Sequence, residues 1–265
     1  MGIIIKSIRT NSFKTEYFCF GKGEKTLVIL PGLSVQSIMP LAAEIEKDYS
    51  IFKDDYTVYV FDRRCDLPEN YSIYDMADDT AAAFKHLNLY NINLFGASQG
   101  GMIALCIAAK YPGIIKKIAV ASAAINLSDK KDIIDSWINT AKSNDIQRLY
   151  DNFAKAVYPN QLYESYKPLL SKTAKTVTKE DLSRFIILAN AAVDFDFSPY
   201  VSDIHCPVFA AGAADDKVLG KYAIEEIINN FSTLPNFSYK IYEGYGHALY
   251  DLAPDFKDKL YEFFT

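Results

Sequence analysis

Short runs of consecutive apolar residues alternate along the chain with longer stretches in which apolar residues recur at helical spacing. Runs such as 27–30 (Leu-Val-Ile-Leu) and 58–61 (Val-Tyr-Val-Phe) have no polar position between the apolar ones. Strands of this type are buried on both faces, as in a parallel sheet covered by helices. The runs predict seven strands, at residues 16–20, 26–30, 57–61, 91–95, 117–121, 207–211 and 238–242.

Helical patterns fill most of the intervals between these strands. They predict helices at residues 35–47, 73–87, 102–110, 220–231 and 255–264. Regular alternation of strands and helices is typical of an α/β protein with a doubly wound, mostly parallel sheet. The sequence therefore predicts this fold class.

One region breaks the alternation, because residues 126–203 contain helical, polar patterns and no convincing strand. We predict a core domain formed by residues 1–125 and 204–265, with residues 126–203 inserted as a helical lid. The insertion contains several aromatic residues, which could form the core of the lid or line an acyl pocket. These residues are Trp137, Tyr150, Phe153, Tyr158, Tyr163 and Phe185.

The strand predicted at 91–95 runs directly into a Gly-x-Ser-x-Gly sequence, at residues 96–100, and then into a helix. This context predicts a nucleophile elbow, a sharp strand-to-helix turn that exposes a serine at the carboxyl edge of a sheet. Gly96 and Gly100 lack Cβ atoms, so the strand and the helix can approach each other closely. Ser98 is the candidate nucleophile, and the amide of Gln99 at the helix start would face developing negative charge.

A serine nucleophile needs a base, and histidine is suited to this role near neutral pH. The chain has three histidines. His86 ends a helical pattern and His205 precedes a strand, so both are expected in solvated positions. His247 follows the last predicted strand, at the same sheet edge as Ser98, and is the candidate base.

Two further elements of the same machinery can be placed at this edge. An acid that orients the histidine is expected after the strand at 207–211, where Asp215 and Asp216 are both candidates. The order Ser, Asp, His along the chain is the one expected for this arrangement. A second oxyanion donor is expected from the N–H of Leu33, in the turn after the strand at 26–30.

The cluster Asp62, Arg63 and Arg64 follows another strand and could be a structural ion-pair cluster or a substrate clamp.

These motifs together make the chain resemble the lid-bearing serine hydrolases of the α/β-hydrolase superfamily. The resemblance rests on residues 30–32 (Leu-Pro-Gly), 61–64, 96–101, 215–220 and 246–247. It implies Ser98 as nucleophile, His247 as base, and Leu33 and Gln99 as oxyanion donors. Counting from Gly212 favours Asp215 as the acid, whereas the family run acid-x-Val-Leu-Gly favours Asp216, and we predict Asp216 as the acid. One departure from the family is Pro31, at a position where a histidine usually precedes the glycine.

Composition narrows the classes of partner. The net charge of −5 and the isoelectric point near 5.3 argue against nucleic acids and anionic membranes as partners. The longest apolar runs are too short to span a bilayer, and no signal peptide is visible. Four scattered cysteines predict free thiols in the cytoplasm. No glycine-rich phosphate loop and no His/Cys cluster is present, so no cofactor or metal is expected.

The sequence thus predicts a cofactor-independent serine hydrolase acting on a small carboxylic ester or thioester. Acyl transfer and carbon–carbon bond cleavage could use the same residues. A ligand-binding protein that retains the hydrolase fold is a further alternative, because fold alone does not fix function.

Overall fold

The computed structural model describes residues 2–10 and 12–265, and these residues are built around one eight-stranded sheet. The strands are β1 (Lys6–Arg9), β2 (Lys14–Phe20), β3 (Lys25–Leu30), β4 (Tyr56–Arg64), β5 (Ile92–Ala97), β6 (Ile115–Ala121), β7 (Val208–Ala213) and β8 (Phe237–Tyr242). Their spatial order is β1-β2-β4-β3-β5-β6-β7-β8. Strand β2 is antiparallel to both of its neighbours, and all pairs from β4 to β8 are parallel.

In the described residues, ten α-helices connect or cover the strands. They are α1 (Ala42–Asp48), α2 (Ile73–His86), α3 (Gln99–Lys110), α4 (Lys131–Lys142), α5 (Ile146–Val157), α6 (Asn160–Ala174), α7 (Lys179–Val193), α8 (Tyr222–Phe231), α9 (Leu249–Leu252) and α10 (Phe256–Phe264). Helices α4 to α7 all lie between β6 and β7, and we call residues 126–203, which contain them, the helical segment.

The sheet separates two apolar cores. Leu94 of β5 faces a core shared with α2, α3 and α8, whereas Phe95 faces a second core shared with α1, α9 and α10. Both side chains are almost fully buried. Neighbouring residues of one strand therefore fill opposite cores, which explains why the central strands are continuously apolar. The predicted doubly wound, mostly parallel α/β sheet is confirmed.

All seven predicted strands are present, with ends that differ by at most three residues. Sequence analysis missed β1, a four-residue edge strand that pairs only with β2. Of its residues only Ile8 is buried, so β1 carries almost no hydrophobic pattern. Its position is determined by backbone pairing with β2, which local patterning does not reveal.

The start of the first predicted helix, at residue 35, is wrong. Residues 35–38 form a loop, residues Met39–Leu41 form a short 3₁₀ turn, and α1 begins only at Ala42. Pro40 explains the difference, because proline fits within a first helical turn, but inside a helix it removes a hydrogen bond and clashes with the carbonyl group four residues earlier. The apolar residues at 35, 38 and 39 are buried as the pattern requires, but not on one helix face.

The turn from β5 into α3 packs unusually tightly against β3. A Cβ atom placed on Gly100 would lie 2.1 Å from the carbonyl oxygen of Leu30 and 2.5 Å from that of Pro31. A Cβ on Gly96 would lie 2.3 Å from the carbonyl oxygen of Gly100. Both glycines are therefore required by backbone-to-backbone contact.

We predict that Gly100→Ala destabilises the protein by about 2 kcal/mol or more, because its methyl group cannot fit without moving β3 away from α3. Gly113→Ala is the matched control, since nothing lies within 4 Å of a Cβ at that position. Urea unfolding of both variants checks this. Equal midpoints for the two variants would contradict the tight packing described above.

Candidate active site

Ser98 occupies the sharp turn between β5 and α3. Its backbone has φ 51° and ψ −121°, a conformation that is rare for a residue with a side chain. Holding a non-glycine residue there costs about 1–3 kcal/mol, which the surrounding structure must offset. Two hydrogen bonds help to fix the turn: the Ser98 N–H donates to the Ala121 carbonyl (2.8 Å), and the Gly101 N–H donates to the Ser98 carbonyl (2.8 Å). The turn sets Ser98 at the carboxyl edge of the sheet.

A continuous hydrogen-bonded chain joins Ser98 to a buried carboxylate. The Nε2 atom of His247 lies 2.9 Å from the Ser98 Oγ, and its Nδ1 atom lies 2.8 Å from the Oδ2 of Asp216. His247 and Asp216 are 3% and 8% exposed. The other oxygen of Asp216 accepts the N–H groups of Val218 and Leu219 at 2.8 and 2.9 Å. These two bonds fix the carboxylate, so that it can orient the imidazole.

Asp215, the other candidate acid, has a different environment. Its Oδ1 accepts the Gly244 N–H at 3.0 Å and its Oδ2 accepts the Gly246 N–H at 3.2 Å. Both amides belong to the loop that precedes His247. The structure thus brings Asp216 to the imidazole and Asp215 to the backbone that carries it.

The two segments that carry the predicted oxyanion amides both border Ser98. Gln99 is the first residue of α3, and amides of a first helical turn have no acceptor within the helix. Leu33 follows the turn after β3, and that turn lies directly against the serine. A Cβ on Gly32 would be 3.2 Å from the Ser98 Cβ and 3.7 Å from its Oγ. Pro31 therefore leaves the approach of this backbone to Ser98 intact.

A cavity of about 850 Å³ opens beside Ser98 and His247. Loops of the sheet edge and helices α1, α4, α5 and α7 contribute its walls, which are mostly apolar. Four of the aromatic residues singled out in the sequence line it, namely Trp137, Tyr150, Phe153 and Tyr158. Burial raises the pKa of both tyrosines to about 12, so they remain neutral at physiological pH. Tyr163 and Phe185 are also buried, but they do not line the cavity.

Asp62 and Arg64, in the predicted charged cluster at the end of β4, have different sets of partners. Asp62 pairs with Arg184 of α7 at 2.5 Å. Arg64 pairs with Asp66 and Asp79 at 3.0 and 3.2 Å, and neither Asp62 nor Arg64 lines the cavity. These contacts are those of a structural ion-pair cluster and not of a substrate clamp.

Asp251 is an ionisable group of the cavity that sequence reasoning missed. It lies one helical turn after His247 and lines the cavity together with Asp48. The spacing of four residues from His247 was the available signal, but it coincides with no recognised motif. Asp251 is exposed on the cavity wall, yet the density of protein around it raises its pKa to about 6 by desolvation; Lys257 opposes this shift and Asp48 adds to it.

The remaining polar groups offer few other sites. His86 and His205 are exposed, as expected. Across residues 2–10 and 12–265, the structure has no group of three or more His, Cys, Asp or Glu side chains arranged to hold a metal ion. In that same described part of the chain, no helix is long and apolar enough to cross a membrane.

Comparison with known proteins gives the family. The family described as "alpha/beta hydrolase fold" matches residues 25–161, just over half of the 265-residue chain. The match includes the turn after β3 and the Ser98 elbow. The chain therefore belongs to the α/β-hydrolase superfamily and is an enzyme of that superfamily, with esterases among its structural neighbours.

Individual relatives are distant. The serine hydrolase BPHL of Mus musculus is 28% identical over 135 residues, which cover 47% of this chain and 45% of that protein. MGS-M2, an α/β-hydrolase enzyme from a Medee basin deep-sea metagenome library, superposes with a TM-score of 0.86 at 22% identity, over 98% of this chain and 97% of that one. The esterase EaEST from Exiguobacterium antarcticum superposes with a TM-score of 0.80 at 20% identity, over 97% and 98% of the two chains.

The raised pKa of Asp251 predicts a pH-dependent contribution to stability. Because the folded-state pKa lies above the ordinary value, this group stabilises the folded protein most at low pH, and the contribution is lost as pH rises through about 6. Asp251→Asn removes this titration. We expect the melting temperature of Asp251→Asn, relative to the wild type, to increase between pH 4.5 and 7.5. A constant difference across that range would show that Asp251 titrates alike in both states.

Proposed function

We propose that this enzyme is a serine hydrolase that cleaves a small carboxylic ester or thioester through an acyl-enzyme intermediate on Ser98. The observation that carries the proposal is the hydrogen-bonded chain Asp216–His247–Ser98 beside a mostly apolar cavity. This arrangement has the geometry of a nucleophile, its base and the acid that orients the base.

In the first half of the reaction the Ser98 Oγ attacks the carbonyl carbon while His247 Nε2 takes the hydroxyl proton. Asp216 stabilises the imidazolium that forms and holds the ring in the productive tautomer. The carbonyl oxygen becomes an oxyanion, which the N–H groups of Leu33 and Gln99 stabilise. The tetrahedral intermediate then collapses, and the alcohol or thiol leaves with the proton carried by His247.

The second half repeats this sequence with water. His247 takes a proton from a water molecule, whose oxygen attacks the acyl carbon attached to Ser98. Collapse of the second intermediate breaks the bond between the acyl carbon and Ser98 Oγ. The carboxylic acid leaves, and His247 returns its proton to the serine.

The cavity supports the substrate class. Its volume and apolar walls suit an uncharged acyl chain or an aromatic group. We propose that the helical segment acts as a lid, because Trp137, Phe153 and Tyr158 of this segment line the cavity. The lid would exclude bulk water from the reacting carbonyl and strengthen the interactions there.

We predict that Ser98→Ala lowers hydrolysis of a short-chain p-nitrophenyl ester by about 10⁴-fold or more, because the nucleophile is lost. The variant should keep its fold, since the methyl group occupies part of the space of the hydroxymethyl group. Esterase assays with circular dichroism check this, and fluorophosphonate labelling should require both Ser98 and His247. Full activity in purified Ser98→Ala would contradict the proposed function, and a folded wild type that binds but does not hydrolyse esters would favour a binding protein.

The two neighbouring aspartates should differ sharply in their effects. Asp216→Asn should lower kcat by about 10³- to 10⁴-fold, because the amide favours the wrong imidazole tautomer and removes the negative charge. Asp215→Asn retains one acceptor oxygen for the loop before His247, so kcat should fall by no more than about tenfold. Steady-state kinetics of the two variants measures this. The reverse order of effects would assign the acid to Asp215.

A further inference from the structure

Arg63, at the end of β4, bridges two segments that are far apart in the sequence. Its Nη2 donates to the Pro31 carbonyl at 2.6 Å and lies 3.4 Å from the side-chain oxygen of Gln99, a longer and weaker contact. Pro31 begins the turn that carries the Leu33 amide, and Gln99 itself carries the other amide. One guanidinium therefore contacts both segments proposed to bind the oxyanion.

A hydrogen bond and an ion pair link this region to the helical segment. Gln99 is 2% exposed, and its side-chain Nε2 donates to the Leu188 carbonyl of α7 at 2.7 Å. Asp62, the neighbour of Arg63, pairs with Arg184 of the same helix. The end of β4 thus connects α7 to both sides of Ser98.

Burial of the charged Arg63 side chain carries a desolvation cost. It is 6% exposed, and within the described part of the chain no carboxylate oxygen lies within 4 Å of its guanidinium and its Nε has no hydrogen-bond partner. The carboxylate of Asp62 accepts the backbone N–H of Arg63 (2.7 Å) and pairs with Arg184 instead. Desolvation lowers the pKa of Arg63 to about 10, which still leaves it charged at neutral pH. An apolar side chain would be cheaper to bury if packing were its only role.

We propose that Arg63 is a positioning residue that fixes the Leu33 and Gln99 amides relative to each other and couples both of them to helix α7. This inference rests on the proposed serine hydrolase function. The bond to Pro31 restrains the peptide unit that precedes Gly32, and so restrains the peptide unit that carries the Leu33 N–H. The contact with Gln99 restrains the first turn of α3.

The energetic consequence lies in the transition state. Oxyanion donors act through their distance to an oxygen that carries full charge only after attack, so small displacements cost more there than in substrate binding. Loss of Arg63 should therefore lower kcat and leave KM almost unchanged. A residue with a packing role alone would change stability without this pattern.

The test compares Arg63→Met with Arg64→Met, using steady-state hydrolysis of a p-nitrophenyl ester and thermal unfolding. Methionine approximates the volume of arginine and donates no hydrogen bond. We expect Arg63→Met to lower kcat by about ten- to a hundredfold, with KM within about twofold of the wild type and a single cooperative unfolding transition. Arg64 binds Asp66, Asp79 and the Ser12 carbonyl, away from both amides, so kcat of Arg64→Met should stay within about threefold.

A second readout reports on the oxyanion itself. A trifluoromethyl ketone forms a tetrahedral oxyanion on an active serine, so its inhibition constant should rise in Arg63→Met by about the same factor as kcat/KM falls. Inhibition by the product carboxylate should change by less than about twofold. Arg63→Lys keeps the charge and one donor, and it should recover part of kcat.

The possible outcomes distinguish a failure of the Arg63 positioning role from a failure of the proposed serine hydrolase function. Wild-type kcat in folded Arg63→Met, with the wild type labelled at Ser98, contradicts the positioning role alone. If Arg63→Met does not fold, Arg63→Leu, which is smaller and likewise donates no hydrogen bond, applies the same criterion: a fall in kcat of at least about fivefold supports the inference, and an unchanged kcat overturns it. A wild type with no esterase activity and no Ser98 labelling contradicts the proposed function and this inference together.

Discussion

Close contact between the backbones of β3, β5 and the first turn of α3 is the constraint on which the site depends. Gly96 and Gly100 allow this contact, because any Cβ at either position would overlap backbone atoms. The contact forces Ser98 into a left-handed conformation, with φ 51°, that the turn could not hold alone. Burial of β5 and α3 in the two apolar cores offsets the strain. The backbone conformation of the Ser98 turn is thus set by packing and does not depend on a bound ligand.

Parallel strands then determine what can reach the serine. The carboxyl ends of β3, β5, β6, β7 and β8 lie at one edge, and each is followed by a segment that contributes to the site or its cavity. The loop after β7 supplies Asp216, and the loop after β8 supplies His247. Asp215 ties these two loops together through the amides of Gly244 and Gly246. The two adjacent aspartates therefore have different roles: Asp216 orients the imidazole ring, and Asp215 stabilises the loop that carries it.

Much of this could be predicted from the sequence, because its signals are local. Continuous apolar runs predicted the parallel strands, and the elbow glycines with the order of Ser98, Asp216 and His247 indicated the candidate site. The sequence offers both Asp215 and Asp216, because the loop contacts that bring one carboxylate to the ring and the other to the backbone are not local in the sequence. The edge strand β1 depends on pairing with β2, and Pro40 displaced the start of α1; both lie outside a periodicity argument. The sequence shows Arg63 only as part of a charged cluster and does not reveal its partners, because these lie 32 and 36 residues away along the chain.

The most direct measurement is a crystal structure of the protein after reaction with a small alkyl phosphonate that mimics the tetrahedral intermediate. We expect a covalent bond from Ser98 Oγ to phosphorus, with one phosphoryl oxygen about 3 Å from the amide nitrogens of both Leu33 and Gln99. The alkyl group should occupy the apolar cavity. An adduct on another residue, or a phosphoryl oxygen directed away from the two amides, would contradict the assignment of nucleophile and oxyanion site.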